Sequence, residues 1–429
     1  MNRILFFLIF PGIFTACENS KIANASDYNT FLSDDKRIEK QLEKLNTEIS
    51  FWQKRLLADT GNYVDMQKLA SNFIERFKVS GVADDLHTAD SFYTRCLAKI
   101  KFTQPELFFS ISQNAITQHR FQDAWRYLQL ADSIGVNPYV IKLLKFDAAM
   151  EIGLYQQAEY NLQQVKNEKE FDYLIRKAKL EDHHGRLDKA IEFMELALQQ
   201  AEASGKKEMI LWSKSNLADM YGHADRVKDA YQNYLEVLSM DSSYLYALKG
   251  IAWIAYSHDK NTKEAKRIIE FISSQTNMPD HYLMLAEIAE WEGDTEMKKQ
   301  CISKFLTEVE KPAYGNMYNK YLITIYTEDI KNIDKAMAIA EKEVSSRPTP
   351  ETYDWLAWVY YKKGDVNKAY DLIEKFVLGK TSEPDALLHA AFVLNDSGKK
   401  SLAKKILKEC KLSSFELGPL TAAKINSML

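Results

Sequence analysis

Five histidines, His119, His183, His184, His223 and His258, recur along this chain where one helical pattern gives way to the next. Imidazoles brought together could collect a divalent metal or pass protons. Packed helices, however, stand roughly 8–10 Å apart, whereas zinc needs its ligands at about 2 Å. A histidine at a helix C-terminus also has a plainer task, bonding free carbonyls and meeting the helix dipole. That reading is preferred, and no metal site is expected. Cys96, Cys301 and Cys410 are an odd number without Cys-x-x-Cys spacing, so neither a zinc site nor a disulfide frame is indicated. They read as small buried residues. The chain has no Gly-x-Ser-x-Gly, no phosphate loop, no His-Glu-x-x-His and no dinucleotide glycine cluster. It is therefore read as non-enzymatic, with no catalytic residues and no cofactor.

The elements that carry these side chains are helical. Among 429 residues only 15 are Gly and 9 Pro, too few turn-formers for an all-β protein. The formal charge of −4, with Lys and Arg interspersed among Asp and Glu, leaves no footprint for nucleic acid. The beginning differs from the rest. Arg3 precedes an apolar run from Ile4 to Phe14, closed by Thr15-Ala16-Cys17, the organisation of an export signal too short to remain as a membrane-spanning helix. The ending resembles a bacterial lipobox, with Phe14 where Leu is usual. That resemblance implies a signal peptide over residues 1–16 and a lipid such as palmitate on Cys17. Residues 17–35 are polar and aperiodic and read as a flexible tether. From Lys36, a stripe of Ile38, Leu42, Leu45, Ile49, Trp52 and Leu56 predicts a helix ended by Thr60-Gly61-Asn62.

Beyond this helix small residues return on a clock. Gly364 is followed by Gly398, Ala369 by Ala403 and Ala357 by Ala391, each 34 residues later. Ala89, Ala124, Ala158, Ala190, Ala230, Ala265, Ala336, Ala369 and Ala403 form one register, and Ala218, Ala252 and Ala286 another. Alanine lets antiparallel helices approach closely, glycine gives a helix end its backbone freedom, and proline ends the preceding helix. The stretch from Pro350, with Tyr353, Leu356, Ala357, Tyr360, Gly364, Ala369 and Ile373, resembles the tetratricopeptide repeat, a 34-residue helix-turn-helix. The resemblance implies an all-α superhelical solenoid of about nine or ten units over residues 36–429. The sequence from Phe415 would cap its end. Departures are local: Lys298 stands where alanine is expected, and Phe146 and Ile323 occupy small positions. One extra residue falls near Lys260 and another near Ile330, and the spacing from Ala190 to Ala230 stretches to 40.

In the resembled family, positions 2, 5, 9 and 12 of each first helix face a concave groove. Here they include Trp212, Asp219, Tyr246, Lys249, Trp253, Tyr256, Trp358, Tyr361 and Phe392, and large aromatics suit partner recognition. The resemblance thus implies a non-catalytic scaffold for a protein or peptide, similar to lipoproteins of Gram-negative outer membranes and located in the cell envelope. A groove that captures a glycan or oligopeptide for an outer-membrane transporter is the alternative. The groove lacks the family's lysine and asparagine pairing for terminal carboxylates, which speaks against an adaptor for chaperone tails.

Overall fold

A computed structural model describes residues 21–32, 36–100, 104, 106–135 and 137–429. The signal segment and Cys17 lie outside the described residues. A helix over Lys36–Ala58 leads into ten antiparallel helix pairs, and no strand occurs among the described residues. Units 1 to 5 are Tyr63–Ser80 with Asp84–Ile100, Glu106–Thr117 with Phe121–Ile134, Pro138–Glu151 with Tyr155–Gln164, Phe171–His183 with Leu187–Ser204, and Lys207–His223 with Val227–Met240. Unit 6 joins Leu245–Trp253 and a π-helical turn, Ile254–His258, to Thr262–Gln275. Units 7 to 10 are His281–Glu292 with Thr295–Val309, Asn319–Glu328 with Ile333–Ser346, Pro350–Lys363 with Val366–Phe376, and Pro384–Asp396 with Lys400–Leu412. A terminal helix, Ser414–Met428, follows. The expected all-α superhelical solenoid is therefore what the chain forms.

Unit 9 shows why the pattern folds this way. Thr349 caps the first helix in a reciprocal box with Thr352, Pro350 supplies the first turn, and Gly364 closes it in the left-handed region at φ 92°. Each of these satisfies or excuses a backbone group that a helix end leaves unpaired. Asp365 then caps the second helix by accepting from Lys368 N. The nine alanines of the first register are all at most 1% exposed, as are Ala218, Ala252, Ala357 and Ala391. A methyl is all that fits between these helices. Phe146 and Ile323 are buried at their positions as well. Lys298 instead reaches out to bridge Glu290 and Asp329, each at 2.7 Å. The stretch between Ala190 and Ala230 is absorbed by long helices, Leu187–Ser204 and Lys207–His223. The extra residue near Lys260 is absorbed by the π-helical turn of unit 6, and that near Ile330 lies in the turn between Asn319–Glu328 and Ile333–Ser346. Cys96, Cys301 and Cys410 are buried and unpaired.

The superhelix is wound tightly enough to touch itself. Asn277 N donates to Ser80 O at 2.8 Å across 197 residues of sequence, and Asn277 Nδ2 reaches the same carbonyl. At unit 2, Gln122 Nε2 donates to Ser346 O at 2.6 Å. Gly81, Gly153 and Gly185, at the tips of units 1, 3 and 4, face Met278, Pro348 and Ser382 respectively. Each early tip therefore rests on the connection between two units nearly six places further on. A continuous seam joins one superhelical turn to the next.

The tether expectation needs correction over residues 21–32. Ile22 N and Ala23 N donate to the Asp259 carboxylate at 3.0 and 2.8 Å, and Asn24 N donates to Tyr231 Oη at 3.1 Å. Tyr231 in turn donates to Asp27 Oδ2 at 3.0 Å, and Tyr28 donates to Glu264 Oε1 at 2.8 Å. Ala25–Tyr28 forms one helical turn and Tyr28 has no exposed surface. The Asp259 side chain is itself fully buried, between these amides and His258. Polar composition hid two apolar anchors, Ile22 and Tyr28, and a carboxylate waiting for backbone donors.

Candidate functional site: the concave face of units 5 to 10

The nine groove residues divide into two groups. Trp212 and Tyr246, on the first helices of units 5 and 6, are 38% and 52% exposed. Asp219, on the same helix as Trp212, takes hydrogen bonds from Tyr234 and, at 2.6 Å, from Tyr246. Burial raises its pKa against the pull of those two phenols. Lys249 is paired with Asp280 of the neighbouring unit. These four form an accessible patch.

Among the remaining residues, Tyr256 and Trp358 are buried and correct the groove reading, whereas Trp253, Tyr361 and Phe392 are partly covered. Tyr256 has no exposed surface and donates to Glu287 Oε1 at 3.2 Å. Trp358 is 4% exposed, donates to Glu328 Oε1 at 3.0 Å and stacks on His389 with ring centroids 4.0 Å apart. Tyr361 donates to Asp396 Oδ2 at 2.8 Å, and Phe392 lies beneath Lys424 of the terminal helix. Trp253 is half-buried, with Nε1 donating to the Phe415 carbonyl at 3.1 Å. The reason is common to all. Tight curvature brings successive first helices and the terminal helix against side chains that a more open solenoid would leave to a partner.

Ser257, Phe415 and Glu416 are the residues the sequence reading missed. Ser257, in the π-helical turn, donates its hydroxyl to the same Phe415 carbonyl at 2.6 Å. The Phe415 ring lies against Gly222, where a Cβ would sit 2.7 Å from Cε1. Glu416 Oε2 is 4.0 Å from His223 Nδ1. A cavity of about 190 Å³ adjoins them, lined by Asp219, Gly222, His223, Trp253, Phe415 and Glu416. Two sequence signals pointed here: the extra residue near Lys260, and Gly418-Pro419 inside the expected capping helix. Gly418 is non-helical at φ 78°, ψ 165°, so the turn before it is separate from the helix after it.

The face is acidic. Burial pushes Glu287 up to about 7, and burial with the nearby Glu351 and Glu416 pushes Glu383 up to about 7. Burial likewise raises Glu416 and Asp182. Burial opposes the charge of Lys320, yet the Asp385 carboxylate at 2.8 Å outweighs it and holds the ammonium above its usual range. Of the histidines of the turns, His183 lies on Tyr155 and beside His184, His184 pairs with Glu159, and His258 pairs with Asp259. Among the described residues no three His, Cys, Asp or Glu are placed to hold a metal ion. No helix among them is long and apolar enough to cross a membrane.

Residues 329–410 match the family described as anaphase-promoting complex, cyclosome, subunit 3. No curated protein matches the chain. Among solved structures it is similar to a tetratricopeptide repeat protein from Parabacteroides merdae, at 17% identity over 60% of this chain and 98% of that one, with a TM-score of 0.35. It is similar to the Cut9-Hcn1 hetero-tetramer of the APC/C, at 14% identity over 96% and 100%, with a TM-score of 0.35. It is also similar to YrrB, described as a repeat protein with an unusual peptide-binding site, at 13% identity over 46% and 95%, with a TM-score of 0.28.

Proposed function

We propose that this chain is a non-catalytic scaffold, held in the cell envelope at the outer membrane by a lipid on Cys17, whose concave face binds a protein or peptide. The observation that carries the reading is the patch of Trp212, Asp219, Tyr246 and Lys249. Trp212 and Tyr246 leave much of their surface to solvent on adjacent helices of a rigid stack, and Asp219 and Lys249 supply charge beside them. Aromatic area beside fixed polar groups is what a partner contact draws on. Replacing Trp212→Ala together with Tyr246→Ala should remove retention of a co-purifying envelope protein while leaving the helical spectrum and melting temperature near those of the native chain. Retention undiminished by the double substitution would place the contact elsewhere. Anchoring is tested separately: Cys17→Ser should leave the chain unprocessed or move it out of the membrane fraction, and unchanged processing and fractionation would refute it.

A further inference from the structure

We propose that residues 413–418, Ser-Ser-Phe-Glu-Leu-Gly, are a reversible plug in the concave face. The site they fill accepts a peptide of the same chemistry: an aromatic residue followed by an acidic one, in a single helical turn. The inference deepens the peptide-binding reading by naming the class of partner and what competes with it.

Four observations carry it. The seat reads a backbone carbonyl, that of Phe415, through Trp253 Nε1 and Ser257 Oγ at 3.1 and 2.6 Å. Two side-chain donors on one main-chain oxygen suit any peptide that offers the carbonyl, and so do not require this chain's own segment. The donors flank and enter a π-helical turn, a distortion found mostly as single turns and frequently at functional sites. A backbone break also separates the segment from the helix that follows it. Gly418 breaks the helix at φ 78°, and beyond the break Ile425 is buried against unit 10. Leu417, inside the segment, is buried in the same cluster, so release of the turn withdraws Leu417 while Ile425 still holds the helix beyond the break. Finally, the closed arrangement presses like charges together. Glu416 faces Asp182 and Asp385, with His223 Nδ1 4.0 Å from its Oε2 and Lys320 as the opposing cation.

The seam supplies a contrast. At units 1, 3 and 4 a tip glycine meets a connection with no ring involved. At unit 5 the segment places an aromatic ring on Gly222, an acid near His223, and a cavity of about 190 Å³ beside both.

The test uses the full chain and a fluorescent peptide of the sequence Leu-Ser-Ser-Phe-Glu-Leu-Gly-Pro. Phe415→Ala should empty the aromatic seat and tighten probe binding roughly tenfold or more over the native chain, because an occupied site lowers apparent affinity by its free fraction. Adding Trp253→Phe and Ser257→Ala, which remove the two donors, should return binding to the native level or below. A peptide with its phenylalanine and glutamate exchanged for alanine should not bind. In the native chain, backbone amides of residues 415–418 should exchange with solvent before those of Lys400–Leu412. Equal probe affinity for the native and Phe415→Ala chains overturns the proposal, and so does exchange of the segment only with global unfolding, a readout that stands even where the variant folds poorly. An envelope partner retained equally by both chains would sink the plug and leave the scaffold reading intact. Probe binding to the Phe415→Ala chain, with no envelope partner retained by either, would uphold the plug and sink the scaffold reading.

Discussion

Gly153 and Gly364 stand at the tips of units 3 and 9, both in the left-handed region at φ 77° and 92°. Their surroundings differ. A Cβ on Gly153 would lie 2.9 Å from the Pro348 carbonyl oxygen, whereas nothing is within 4 Å of the same point at Gly364. Gly81 and Gly185 share the crowding of the first, Gly293 and Gly398 the open space of the second. One repeat signal therefore has two causes. Every tip needs a residue that tolerates positive φ, but only the tips of the early units also bear on the next superhelical turn. Repeat stability is ordinarily a sum over nearest neighbours. Here the seam adds contacts between units nearly six places apart, each joining a tip in the first half of the stack to a connection in the second.

Alanine substitutions separate the two causes. Gly81→Ala carries the largest expected effect, because positive φ costs about 1–2 kcal/mol and the Cβ would sit 2.6 Å from the immovable Met278 N. Overpacking adds about 1–3 kcal/mol, for a loss of about 2–5 kcal/mol in denaturant unfolding. Gly185→Ala should fall lower, since the obstacle is the Ser382 hydroxyl at 2.3 Å, the end of a side chain that can turn aside. Combining it with Ser382→Gly should recover about 0.5–1 kcal/mol, and strict additivity of the two would deny the seam contact. Gly364→Ala should show the backbone cost alone, about 1–2 kcal/mol. If Gly81→Ala and Gly364→Ala melt alike, the turns do not bear on each other in solution.

The remaining effect contrasts the seam with the acidic concave face, and it depends on pH. Glu287 is raised by burial from near 4.5 to about 7, so the folded chain holds that proton more tightly than the unfolded one. Its contribution is fully present below about pH 4.5 and is lost as pH rises to about 7. Glu287→Gln keeps an acceptor for Tyr256 without the charge. It should match the native chain near pH 4.5 and exceed it by up to about 3 kcal/mol at pH 8. An advantage independent of pH would mean the carboxylate is solvated. Gly81→Ala and Gly364→Ala should show no such dependence.

Local features were legible in the sequence and their sum was not. Alanines at fixed spacing gave the helix pairs, because a methyl between two helices is a requirement that each unit states for itself. The capping of Asn62, Thr349 and Asp365 and the lengthened helices around Gly205 are likewise written in adjacent residues. Superhelical pitch accumulates from small rotations at every interface, and no window of sequence contains it. Trp358 and Tyr256, at positions 9 and 12, were therefore read as groove residues although the curvature buries them, while Trp212 and Tyr246, both at position 2, stay exposed. Phe415 was invisible for a related reason: its contact with Gly222 spans nearly two hundred residues. Asp259, one residue before the left-handed Lys260, gave no hint that it would bind the amides of Ile22 and Ala23.

That clasp at Asp259 sets a geometric limit on how the body could stand at a membrane. Only Glu18, Asn19 and Ser20 separate Cys17 from Lys21, where the described chain begins, and four peptide steps span at most about 14 Å. A lipid on Cys17 would then act as a short leash. The rim of units 5 and 6 bearing Tyr231, Asp259 and Glu264 would rest at the level of the lipid headgroups, the solenoid would meet the bilayer in one preferred orientation, and partners would have to approach from the side that this rim leaves free.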